Sequence, residues 1–77
     1  MTRMENICKN LHKVIDDNKT LYFSYETCIA FKINGKLTVC ENIWSRTTGN
    51  HLNLIDNGDK KSRISYKDFI NKLDNLQ

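Results

Sequence analysis

Cys28-Ile29-Ala30-Phe31-Lys32-Ile33-Asn34-Gly35-Lys36-Leu37-Thr38-Val39-Cys40 is the stretch that decides the fold class of this chain. Asn34-Gly35 is its strongest hairpin signal, because a two-residue type I′ turn needs positive φ at both central positions and these residues accept it most easily. A loop of that length sets Ile33 opposite Lys36, Phe31 opposite Thr38 and Ile29 opposite Cys40. On the other face Ala30 meets Val39 and Cys28 meets Glu41. Ile29, Phe31 and Ile33 form the heavier apolar face, where helices are expected to pack. Upstream, Leu21, Phe23 and Tyr25 alternate with Thr20, Tyr22 and Ser24, the period of a strand with one buried face. Glu26-Thr27 breaks or bulges that strand. The expected sheet is a two- or three-stranded antiparallel β-meander.

Toward the N-terminus the period changes. Met4, Ile7, Cys8, Leu11, Val14 and Ile15 recur at helical spacing. Thr2 followed by Glu5 has the form of a capping box, in which each side chain satisfies a free backbone N–H. Asp16-Asp17-Asn18 contains poor helix formers, and carboxylates at a helix C-terminus oppose the macrodipole. The spacing therefore predicts an N-terminal helix over residues 3–16.

Downstream, Ser45 can act as an N-cap for a short middle helix over residues 46–55, with Thr48, Leu52 and Ile55 at helical spacing. Gly49 would weaken that helix by roughly 1 kcal/mol relative to Ala. Asp56-Asn57-Gly58-Asp59 reads as a turn, and Lys60-Lys61-Ser62-Arg63 as a basic loop. Ser65 with Asp68 caps a C-terminal amphipathic helix whose apolar face is Tyr66, Phe69, Ile70, Leu73 and Leu76. The expected class is α+β, in a single small domain spanning residues 1–77.

A chain of 77 residues buries a modest core. Self-association is one expected source of added stability, so a homodimer is among the anticipated assemblies. Cys8, Cys28 and Cys40 are an odd number of cysteines without a Cys-x-x-Cys pair. With no N-terminal apolar stretch of secretory type, free thiols in a reduced cytoplasm are expected. No run approaches the roughly 18 apolar residues of a membrane span. A net charge of +3 permits nucleic-acid binding without arguing for it.

Trp44-Ser45-Arg46-Thr47-Thr48-Gly49-Asn50-His51 concentrates the candidate chemistry. Ser45, Thr47 and Thr48 offer hydroxyls and Arg46 a charged fork, at a point where a helix start would add free N–H groups; this could hold a phosphate. Lys60, Lys61 and Arg63 would add charge if their loop folds back. The competing reading is structural: Ser45 caps its helix, Thr48 and His51 bond to backbone, and Arg46 is solvated. Gly49 stands alone and no Gly-Lys-Thr follows, so no Walker-type loop is present.

Tyr22, Tyr25, Phe31 and Trp44 could stack on bases beside Lys32 and Lys36, although so small a domain needs its aromatics for the core. The loop from Asp56 to Ser65 is too long for a helix-turn-helix. Cys8 and His12, four apart on the expected helix, could supply half of a zinc site, but Cys28 and Cys40 share no local motif to complete it. His51 could serve as a general base oriented by Asp56 or Glu41, yet no nucleophile elbow or paired-carboxylate motif accompanies it. These residues define no activity, and no cofactor or metal is implied.

Ser24-Tyr25-Glu26-Thr27, Ile29-Ala30-Phe31, Asn34-Gly35-Lys36 and Trp44-Ser45-x-Thr47-Thr48-Gly49-x-His51-Leu52-Asn53, in this order, resemble a group of small uncharacterised proteins encoded by bacteriophages and mobile elements. The resemblance covers about residues 20–55, and Ser45-x-Thr47-Thr48 with His51 and Asn53 is its most specific piece. It implies a phage or mobile-element setting and shifts weight toward a stoichiometric binder. With the small size, the mild charge and no catalytic motif, the expectation is a non-enzymatic accessory protein in the host-cell cytoplasm that binds and blocks or redirects a host or phage protein. A counter-defence inhibitor of the anti-CRISPR kind is the concrete form of that expectation. The rivals are a DNA- or RNA-binding regulator and a nucleotide-binding sponge. Trp44, Ser45, Arg46, Thr47, Thr48, His51, Lys60, Lys61 and Arg63 are the expected partner or phosphate contacts.

Overall fold

The computed structural model describes residues 2–75. Five strands come first: β1 (Thr2–Cys8), β2 (Leu11–Asp16), β3 (Lys19–Ser24), β4 (Thr27–Ile33) and β5 (Lys36–Val39). They form one sheet in chain order, an antiparallel meander. Helix α1 (Arg46–Asp56), a single 3-10 turn (Lys60–Ser62) and helix α2 (Tyr66–Asp74) follow. The chain divides into two compact units, the first ending at Leu37 and the second beginning at Thr38.

The first unit overturns the expected N-terminal helix. Residues 3–16 are β1, a turn and β2, and the sheet has five strands rather than two or three. The deciding residues are the turn formers. Asn10, Asp17, Tyr25 and Asn34 all take the left-handed conformation, at φ values of 65°, 51°, 59° and 51°, and they recur at nearly regular intervals. Asn and Asp tolerate that region better than most residues, and Asn10 uses it to reverse the chain in the middle of the apolar pattern. Val14 and Ile15 are β-branched and suit a pleated surface. An isolated helix of this length is also marginal in water, whereas β2 and β3 each gain a hydrogen-bonded neighbour on both sides.

Thr2 and Glu5 consequently form no capping box. Thr2 lies opposite Asp16 and Glu5 opposite Lys13. Glu5 pairs with Arg3 at 3.2 Å and with Lys13 at 3.5 Å, on exposed or half-exposed side chains where such pairs contribute little. The half zinc site proposed from Cys8 and His12 is lost for the same reason. Cys8 sits opposite Leu11, while His12 sits opposite Asn6 and stacks on Phe23 with ring centroids 5.5 Å apart. Among the described residues, no group of three or more His, Cys, Asp or Glu could hold a metal ion.

The cross-strand register aligns Met4, Val14, Leu21 and Phe31 in one row of the sheet. Leu11, Ser24, Ile29, Ala30 and Phe31 are buried, so β4 is covered on both faces at its centre. Turns at the same end of the meander are joined. Tyr25 N–H donates to the Asn10 carbonyl at 2.7 Å, and Asn34 N–H donates to the Asn18 carbonyl at 3.1 Å. The Asn34-Gly35 turn forms as the sequence predicts, with φ of 51° and 84°. The expected interruption near Glu26-Thr27 is a reversal at Tyr25-Glu26, after which β4 begins.

In the second unit, β5 stops at Val39. Cys40 then bridges Ile64 in parallel, with Glu41 N–H donating to the Ile64 carbonyl at 2.8 Å and Ile64 N–H to the Val39 carbonyl at 3.0 Å. These bonds fix the segment between the two helices. Val39, Cys40, Thr48, His51, Leu52 and Phe69 are the buried residues among those described in this unit. On α2 only Phe69 is fully buried; Ile70 and Leu73 are half-buried and Tyr66 is exposed. Leu76 of the expected apolar face lies outside the described residues. No helix among the described residues is long and apolar enough to cross a membrane.

Candidate functional site

An open cleft of about 580 Å³ lies within the second unit, lined by Glu41, Asn42, Arg46, Gly49, Asn50, Asn53, Lys60 and Arg63. Arg46, Gly49, Asn50 and Asn53 follow helical spacing, so one stripe of α1 forms a wall. The loop residues Glu41 and Asn42 and the cations Lys60 and Arg63 complete the lining. All of the lining residues are polar or glycine.

The start of α1 is built by two side chains. Ser45 Oγ accepts from Thr48 N–H at 3.3 Å and lies 3.4 Å from Thr48 Oγ1. Asn42 brackets the turn before it: its Oδ1 accepts from Trp44 N–H at 3.1 Å and its Nδ2 donates to the Ser45 carbonyl at 3.0 Å. This arrangement explains a glycine inside a helix. A Cβ on Gly49 would stand 2.7 Å from Asn42 Nδ2, so the bracket needs a residue without one.

Gly49→Ala is therefore expected to destabilise the protein by about 1 kcal/mol or more, through loss of the Asn42 hydrogen bonds, although the change favours a helix elsewhere. In an Asn42→Ala background the same substitution should become stabilising. Urea denaturation of the four proteins of this cycle measures the sign, and an unchanged sign would remove the bracket as the reason for Gly49.

The far end of α1 carries the strongest electrostatic feature. Asp56 is its last residue, where a carboxylate opposes the helix dipole. Arg63 answers it with a two-point contact, Nε to Oδ2 at 2.8 Å and Nη2 to Oδ1 at 3.0 Å, and also donates to Asn53 Oδ1 at 2.9 Å. Asp56 Oδ1 further accepts from Gly58 N–H at 3.0 Å. Burial pushes the Asp56 carboxyl up, but the hydrogen bonds and charge of Arg63 outweigh it and hold the group below the usual carboxylate value. Asn57, at φ 56°, closes the helix in the left-handed conformation.

At α2, Ser65 Oγ accepts from Asp68 N–H at 3.3 Å, and Glu41 Oε2 accepts from Tyr66 N–H at 3.0 Å. Two acceptors thus satisfy the first turn, and one of them comes from the cleft wall. Trp44 is half-buried, with its ring edge-on to Tyr66 at 6.0 Å.

Besides Trp44, the residues singled out from sequence divide into four groups. Arg46 and Lys60 meet in the cleft, and both are exposed. Ser45, Thr47 and Lys61 are exposed but do not line it, while Thr48 and His51 are buried. Arg63 reaches the cleft but is committed to Asp56 and Asn53. Both carboxylates considered as partners for His51 are otherwise engaged, Asp56 by Arg63 and Gly58 and Glu41 by Tyr66. Asn42 and Asn50 were not anticipated, and Asn53 was singled out only as part of the resemblance. The signal that finds them is a polar stripe at helical period on α1, preceded by an Asn three residues before the cap.

A meander sheet followed by two helices, with an open polar cleft along the first, defines a small α+β protein carrying a recess suited to a polar ligand. The chain matches the family of unknown function DUF8033 over residues 1–72 and belongs to that family. No curated protein and no solved structure matches it.

Proposed function

We propose that this protein is a non-enzymatic binding module that takes an acidic segment of a protein partner into the cleft along α1. The observation that carries this reading is the pairing of Arg46 and Lys60 on one recess already lined by the amides of Asn42, Asn50 and Asn53. Neither cation forms an ion pair among the described residues, so both are free to meet a carboxylate. The Asn50 amide both donates and accepts, which suits a peptide backbone running between the cations. Arg63 holds the far wall in place through Asp56 and Asn53.

The finer form of the proposal rests on the resemblance of residues 20–55. It is an accessory protein of a phage or mobile element, acting in the host cytoplasm as a counter-defence inhibitor of the anti-CRISPR kind. Expression in a CRISPR-immune host should then raise plating of the targeted phage, and Arg46→Glu/Lys60→Glu should abolish the rise. No effect of the native protein on plating removes this finer form and leaves the binding module standing.

The module itself is tested by affinity purification, with protein and nucleic acid identified in the same eluate. A protein recovered by the native chain, lost with Arg46→Glu/Lys60→Glu and retained with Lys32→Glu/Lys36→Glu, is the expected result. Recovery that ignores the cleft reversal overturns it.

A nucleic-acid reading is favoured by one observation, the exposure of Arg46, Lys60 and Lys61 together. Each phosphate contact to duplex DNA adds about 0.9 to the log–log salt slope, so these three cations set a slope of about 2–3. A nucleotide sponge built on Ser45, Thr47, Thr48 and His51 has less support. Ser45 and Thr48 engage each other and His51 is buried.

A further inference from the structure

We infer that the outer edge of β1 pairs with β1 of a second copy of this chain, joining two meanders into one continuous sheet about a two-fold axis at Met4. β1 is an end strand, bonded on one side to β2. Most of it is exposed, and the row Phe31, Leu21, Val14, Met4 runs out at this edge on a Met4 that is 68% exposed. An apolar side chain ending an apolar row leaves a surface that a second sheet can continue.

The register follows from parity and charge. In an antiparallel pair about a two-fold axis, a residue meets its own copy at the axis and the flanking residues meet in mirrored order. Centring on Arg3 opposes two arginines, and centring on Glu5 opposes two glutamates. Centring on Asn6 draws Cys8 into the pairing, through the irregularity that the β1–β2 ladder shows between Asn6 and Cys8. Centring on Met4 sets Arg3 opposite Glu5 of the second copy, twice, and Thr2 opposite Asn6, with the two Met4 side chains in contact at the axis. Arg3 and Glu5 already pair within the strand at 3.2 Å, and Lys13 reaches Glu5 at 3.5 Å. The two copies together then form one alternating charge ladder beside an unbroken apolar row. Opposite charges directly across a strand pair attract and like charges repel, so this is the register the sequence selects.

The test uses the full chain. Sedimentation velocity over a concentration series should show a monomer–dimer equilibrium for the native protein. Arg3→Glu and Glu5→Arg, each alone, should weaken it about tenfold or more, because each opposes like charges twice. Mixing the two variants should restore dimers, seen by native mass spectrometry as the mixed species only. Met4→Lys, at a mostly exposed position, should also dissociate the dimer while leaving the far-ultraviolet circular dichroism unchanged. A native chain that stays monomeric throughout overturns the inference. So does a dimer indifferent to Met4→Lys and to both reversals, or a mixture that fails to form the mixed species. Cleft binding rests on residues of the other unit, so its failure and the failure of this pairing are read separately.

Discussion

Arg63→Met is expected to destabilise the protein by about 1–3 kcal/mol, the cost of leaving a part-buried carboxylate without its partner. The side chains of Arg63 and Asp56 are only 6% and 5% exposed, and three hydrogen bonds from the guanidinium would be lost. Stabilities of domains this size are about 4–12 kcal/mol, so a loss on that scale takes a large share of the whole. The double variant Asp56→Leu/Arg63→Met should recover much of the loss, because no charge is then left buried. Urea unfolding followed by the fluorescence of Trp44, in the same unit, measures both. A loss below about 1 kcal/mol for the single variant would mean that the pair behaves as a solvated surface bridge.

The pH dependence has a definite sign. Burial raises the Asp56 carboxyl and Arg63 more than offsets it, so the folded pKa lies below that of the unfolded chain. The contribution is therefore complete above the unfolded value of about 3.9 and is lost as pH falls through the folded value. Asp56→Asn should lower stability at neutral pH and remove this part of the acid limb. An acid limb unchanged by that substitution would assign it to other carboxylates.

At protein concentrations low enough to keep the chain monomeric, Leu11→Ala is expected to cost about 2–5 kcal/mol and Met4→Ala within about 0.5 kcal/mol, a contrast that separates strand from helix at the N-terminus. On a helix over residues 3–16 both side chains share one apolar face, so both truncations would be costly. In the meander Leu11 is fully buried beside Ser24 and Cys8, whereas Met4 lies 68% exposed on the edge strand. Chemical denaturation of the two variants gives the comparison, and equal large losses would contradict the strand register.

The N-terminal misreading has a specific physical origin. The positions Met4, Ile7, Cys8, Leu11, Val14 and Ile15 fit a helical stripe, but only while Lys9-Asn10 is treated as neutral. The discriminating information was local: Asn10, the β-branched pair Val14-Ile15, and turn-forming residues recurring at Asp17-Asn18 and Asn34-Gly35. The Asn34-Gly35 hairpin was legible because its backbone demand is met by few residue pairs. Helix α1 and both serine caps were legible for a similar reason, since a side-chain acceptor three residues before a free N–H is a local device.

The cleft was legible only in part. Arg46 and Lys60 were identified as cations, but their meeting depends on the chain reversing through Asn57-Gly58 and the 3-10 turn. Gly49 read as a weakness of the helix because the Asn42 side chain that occupies its missing Cβ lies seven residues upstream. Arg63 read as a free member of a basic loop, and its withdrawal into Asp56 and Asn53 required the loop to close.

By itself the sequence determined the α+β class, the turn at Asn34-Gly35, the two helices and their caps, because each depends on the conformational preferences of a few adjacent residues. Tertiary structure decided which strands the N-terminal pair joins, the cleft and the fate of its charges. Those depend on which distant backbone or side chain arrives as partner, and a hydrogen bond or ion pair between remote residues leaves little local trace in either partner's surroundings in the chain.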